Sequence, residues 1–97
     1  MSTKETVRVT AEHIERGVPQ LPDACPIALA IRAQHPEASV EVYRTGALLD
    51  RGSVGPTLVS DMPPTARRFV DEFDNQDDPV EPIEFELTWR NLSEVTR

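Results

Sequence analysis

The chain has 97 residues, enough for one hydrophobic core and not for two. Its hydrophobic fraction of 38% and charged fraction of 28% belong to a folded protein rather than a disordered one. A net charge of −7 argues against binding nucleic acid or an anionic membrane, since both need a basic face.

The first predicted element is a strand over residues 5–10, with Val7 and Val9 on one face and Thr6, Arg8 and Thr10 on the other. Thr10 is then a suitable N-cap for a short helix over residues 11–16. Val9 and Ile14 have the spacing of a hydrophobic staple, and Gly17 is read as the C′ residue that ends the helix. Residues 18–23, with two prolines, form a connecting loop. The next helix starts at Cys25-Pro26, because proline is favoured at the first helical position. Ile27, Leu29, Ile31 and the intervening alanines make most of its circumference apolar, which predicts the most buried helix. His35-Pro36 stops it, because the residue before proline avoids the α region.

A strand over residues 39–45 follows, with Val40 and Val42 inward and Glu41 and Tyr43 outward, and Gly46 marks a turn. Residues 47–50 and 57–60 read as two short strands joined by the polar, turn-rich segment Arg51 to Pro56. Pro63-Pro64 opens a third helix, whose Met62, Ala66, Phe69, Val70 and Phe73 fall on one face. Arg67–Asp71 and Arg68–Glu72 are i,i+4 pairs on its exposed side. After a loop over residues 74–79, Ile83, Phe85, Leu87 and Trp89 alternate with Glu84, Glu86, Thr88 and Arg90. Four large inward residues predict a strand in the middle of the sheet. Residues 91–97 read as a frayed tail.

The expected fold is therefore α+β: a small, mainly antiparallel sheet of four to five strands with two or three helices on one face. It forms a single domain over residues 1–97, with an ordered core over about residues 5–90. The element order contains the split βαβ arrangement of ferredoxin-like folds.

Two blocks resemble small uncharacterised proteins encoded by bacteriophages of actinobacteria. The first is Val9 to Ile14 with Gly17, followed by Cys25 to Ile31. The second is Met62 to Ala66 with Phe69, Phe73 and Asp74, followed by Pro79 to Leu87. The resemblance spans residues 7–87 and implies a phage accessory protein acting in a bacterial host cytoplasm. It carries over no catalytic or ligand residue.

The residues themselves offer little catalytic chemistry. Cys25 at a helix start has the position of an activated thiol, but no histidine stands in a recognised motif with it. A capping, buried cysteine is the simpler reading. With one cysteine there is no internal disulfide, so the fold does not depend on an oxidising compartment. Cys25, His13 and His35 lack metal-ligand spacing, and residues 74–78 lack the alternating ligands of a calcium loop. Gly52 to Gly55 lacks the Lys-Ser/Thr ending of a phosphate loop. Glu84 and Glu86 share one strand face, which an amphipathic strand explains without hydrolase chemistry. No catalytic residue, cofactor or metal is therefore expected. The polar stretch Met1 to Glu5 has no signal-peptide core, and no apolar run is long enough to span a membrane, so a cytoplasmic location is expected.

The one signal directed at a partner is charge. Residues 61–86 hold nine acids and two arginines, which accounts for the whole net charge; the rest of the chain is balanced. That segment is also well patterned for folding, so the charge sits on a defined surface. The expected site is an acidic face of Asp71, Asp74, Asp77, Asp78, Glu84 and Glu86 that meets a protein partner's basic patch. The chain is expected to be a monomer or a homodimer, with no direct nucleic-acid or membrane contact. Two alternatives belong to other classes: an acidic decoy that occupies a nucleic-acid-binding protein, and a small enzyme dependent on Cys25.

Overall fold

The computed structural model describes residues 2–75 and 79–95. Five strands form one sheet: β1 (Ser2–Val9), β2 (Ser39–Tyr43), β3 (Gly46–Asp50), β4 (Leu58–Asp61) and β5 (Ile83–Asn91). Its spatial order is β1-β5-β4-β3-β2, and every pairing is antiparallel. The helices are α1 (Ala11–Arg16), α2 (Pro26–Gln34), α3 (Pro64–Asn75) and a final turn, α4 (Leu92–Val95). The split βαβ expectation is corrected here. In that arrangement a single strand separates the two strands joined by the helical crossover, whereas here β5, β4 and β3 all lie between β1 and β2, which stand at opposite edges.

The alternation of each strand decides which side becomes core. Val7 and Val9, Val40 and Val42, Ala47 and Leu49, and Phe85, Leu87 and Trp89 all point inward and are buried. They join Ile27 and Ile31 of α2 and Ala66, Phe69 and Phe73 of α3 in one cluster. A fully buried side chain of this size contributes about 1.5–3 kcal/mol relative to an exposed one, which is why the pattern overrides weak local preferences. Packing places α2 against both β1 and β2, the two opposite edges of the sheet. The sheet therefore curls, and α2 closes the gap between its margins. The helix's small residues make this possible: Ala28 and Ala30 are buried and let both edges approach.

Both edges are also capped chemically. The Gln34 side-chain amide donates to the Thr6 carbonyl at 3.1 Å on β1, and Val42 N–H on β2 donates to the Pro22 carbonyl at 2.8 Å. An open edge offers unpaired backbone groups to other chains, and these bonds remove part of that offer. Between β4 and β5 the backbone ladder is short, Leu58↔Asn91 and Val59↔Arg90. Beyond it the buried Ser60 hydroxyl accepts from Thr88 N–H at 3.1 Å, standing in for a strand carbonyl.

Several local expectations are refined. Strand β1 begins at Ser2 rather than residue 5, because its pairing with β5 extends to Ser2↔Arg90. The β2–β3 turn is Arg44-Thr45, with Gly46 already paired to Tyr43. Thr10 caps α1 as expected, in a capping box completed by His13. Gly17 is in extended backbone, φ −67°, so it is not a left-handed cap. A side chain there would place its Cβ 2.5 Å from Pro26 Cδ, so packing against the start of α2 requires the glycine. Asp74 and Asn75 complete the last turn of α3 instead of starting the loop. Residues 91–95 are not a frayed tail: Asn91 ends β5, and Leu92 N–H at the start of α4 donates to the Thr57 carbonyl at 2.8 Å.

Candidate binding groove

One departure from a closed core lies where the α1–α2 loop, the end of β2 and α3 meet. A concavity of about 280 Å³ opens there. Its floor is made by Cys25, Ile27, Val42, Phe69 and Phe73, all buried. The Phe69 and Phe73 rings are nearly parallel, with centroids 6.1 Å apart. Their spacing of four residues on α3 stacks them on one face. At the lip stand Leu21 and Tyr43, 47% and 45% exposed. Two large apolar side chains left this open beside an apolar hollow make this a candidate docking surface.

The loop that carries Leu21 is held in place. Pro22 is tied to β2 as described, and Ala24 and Cys25 N–H groups both donate to the Leu21 carbonyl. Gln20 lies at φ 66°, in the left-handed region that few residues other than glycine adopt. Its N–H donates to the Asp74 carboxylate at 2.9 Å, which fastens the loop to α3. A second clasp crosses the groove from the β2–β3 turn: Arg44 Nε donates to both Asp71 oxygens, at 3.0 and 3.1 Å. The expected Arg67–Asp71 helix pair is thus replaced by a tertiary one.

The electrostatics around the lip are acidic. The phenol of Tyr43 is pushed above its ordinary pKa by partial desolvation first, then by the nearby Glu41 carboxylate and by Asp23. The Cys25 thiol is raised by burial; backbone N–H groups of Ala28 and Ile27 oppose this, and Asp74 adds to it. A protonated, 7%-exposed thiol is a poor nucleophile. Neither histidine approaches it through a bond. His13 Nδ1 accepts from Thr10 N–H in the α1 cap, and His35 Nε2 lies 3.0 Å from the Glu5 carboxylate at the far end of the sheet. Glu5 is only 14% exposed there, and it also accepts from Trp89 Nε1 at 2.7 Å. Among the described residues no cluster of histidine, cysteine and carboxylate side chains could hold a metal ion.

The fold divides the acidic set. Asp71 and Asp74 line the groove. Glu84 and Glu86 alternate with the buried Phe85 and Leu87, so they project from the opposite face of the sheet. There Glu84 pairs with Arg8, and Arg90 approaches Asp61 at 3.7 Å. Asp77 and Asp78 lie outside the described residues. Sequence reasoning missed Leu21 as a lip residue, because a loop with two prolines reads only as a connection. Tyr43 was legible as an outward residue; its neighbours were not.

The chain matches no family model, no curated protein and no solved structure. No helix among the described residues is long and apolar enough to cross a membrane.

Proposed function

We propose that this is a non-catalytic binding protein that receives a basic segment of a protein partner in the groove between the α1–α2 loop and α3. The observation that carries the reading is the juxtaposition of two exposed apolar side chains, Leu21 and Tyr43, an apolar floor and a carboxylate rim. The apolar part supplies affinity by burial, and the acidic part supplies orientation and on-rate. The resemblance to phage proteins of actinobacteria supports an accessory role directed at a host or phage macromolecule in the bacterial cytoplasm.

The other readings have less support. A nucleic-acid decoy needs a continuous row of carboxylates, whereas Arg8, Arg90 and Arg44 interrupt the acids and the sheet separates them into two groups. Thiol chemistry needs an ionisable, accessible cysteine, whereas Cys25 is buried and its pKa raised.

Capture from a bacterial lysate, with wild type and a Leu21→Ser, Tyr43→Ala variant side by side, tests the proposal. The expected partner is retained by wild type at low salt, weakened by salt and lost from the variant. A partner held equally by both would place the binding surface elsewhere.

A further inference from the structure

We infer that the groove reads a lysine or arginine side chain laid over the Tyr43 ring, next to an aliphatic side chain inserted above Phe69, in one extended partner segment. The inference rests on the binding reading above and specifies its ligand.

Size sets the first limit. Pockets for drug-sized ligands span about 300–1,000 Å³. A hollow of about 280 Å³ falls just below that range, so it suits one or two side chains better than a whole cofactor. Its floor offers no charged group, only Val42, Ile27, the two phenylalanines and a protonated thiol. An aliphatic anchor is the complement of that surface.

Charge sets the second limit. Tyr43 presents an exposed ring with Glu41 and Asp23 beside it, and Asp71 and Asp74 lie along α3. A cation within about 6 Å of an aromatic centroid is attracted by the ring's quadrupole. Here the Glu41 and Asp23 carboxylates near the ring add to that attraction, and they repel an acidic side chain. A second copy of this chain, with net charge −7, would oppose its own acidic rim. Among the described residues Arg44 is the one base lining the groove, and Asp71 already neutralises it.

Backbone chemistry sets the third. A segment cannot add to β2 as a sixth strand across the groove, because Pro22 already occupies Val42 N–H. Recognition therefore falls to side chains, and Tyr43 determines specificity.

The test uses three fluorescently labelled synthetic peptides with blocked termini. One carries arginine beside leucine, one replaces the arginine with norleucine, and one replaces it with glutamate. Their affinities are measured by fluorescence polarisation for wild type, Tyr43→Phe and Tyr43→Leu. The arginine peptide should bind best and the glutamate peptide worst. Tyr43→Leu should weaken the arginine peptide about two- to five-fold. The same change should leave the norleucine peptide unchanged, and Tyr43→Phe should retain binding. Equal affinity for the arginine and norleucine peptides, or indifference of the arginine peptide to Tyr43→Leu, overturns the inference. Hydrogen exchange with the captured partner separates the two levels. Protection of residues 20–25 by a partner that does not need arginine overturns only the ligand chemistry, whereas protection confined to the opposite sheet face overturns the groove as well.

Discussion

The two ends of the curled sheet treat their polar groups differently. At one end Glu5 is nearly buried, and its carboxylate is satisfied by Trp89 and His35. At the other end Asp71 and Asp74 line a hollow whose lip is apolar and exposed, and Glu41 and Asp23 act on Tyr43 at that lip. The first arrangement completes its hydrogen bonds inside the chain, so it is a structural device that ties β1, β5 and the end of α2. The second spends Asp71 and Asp74 on fastening the groove walls and leaves apolar surface uncovered. A cluster of acids alone does not separate the two; the presence or absence of internal partners and of unburied apolar area does.

Truncation at the closed end should have the largest effect. Trp89→Ala removes a side chain only 2% exposed, and such changes typically cost about 3–5 kcal/mol. Against a domain stability of about 5–15 kcal/mol, the denaturant midpoint should fall steeply. Tyr43→Ala at the open end should stay within about 0.5 kcal/mol of wild type, as exposed substitutions usually do. Equal losses at both ends would erase the distinction. Glu5→Ala is the next largest. It leaves the Trp89 indole N–H without its acceptor, a loss of about 1–3 kcal/mol in the same unfolding measurement.

Alkaline stability gives a smaller signal, from the groove floor. The folded state holds the Cys25 proton more tightly than the unfolded chain does. That stability is full below the ordinary thiol value of 9.0 and is lost as pH rises through the elevated folded value. Tyr43 shifts in the same direction, so Cys25→Ala is compared with wild type across the range. The variant should lose less stability on going alkaline, and an identical pH profile would contradict the burial of the thiol. Arg44→Ala has the smallest effect on stability. The Arg44–Asp71 pair is largely exposed and is worth about 0–1 kcal/mol. Removing it strips the groove of its base, so affinity for a basic partner should rise while the unfolding midpoint barely moves.

Much of the fold was legible from residue patterns, and the reason is periodicity. The alternation of Phe85, Leu87 and Trp89 and the helical spacing of Ala66, Phe69 and Phe73 each report one buried face. Alternation does not report which strands are neighbours. The β1–β5 pairing joins residues such as Val7 and Phe85, far apart in sequence, and nothing local encodes it. Glu5 shares the inward face of Val7 and Val9, but only that pairing brings Trp89 within reach to satisfy it. The acidic segment was legible as charge and not as geometry. The chain reverses between α3 and β5, and this sends Asp71 and Glu84 to different surfaces. The groove was the least visible, because Leu21 and Tyr43 meet only through the Pro22–Val42 hydrogen bond that folds the loop onto β2.

The central claim is that partner binding belongs to the groove and not to the sheet's outer acids. It is tested most directly by measuring the partner's association with two double variants, Leu21→Ser with Tyr43→Ala and Glu84→Gln with Glu86→Gln. The groove variant should lose binding, and the sheet variant should keep both affinity and salt dependence. Retained binding by the groove variant, with loss in the sheet variant, would contradict the account and return the interface to β5.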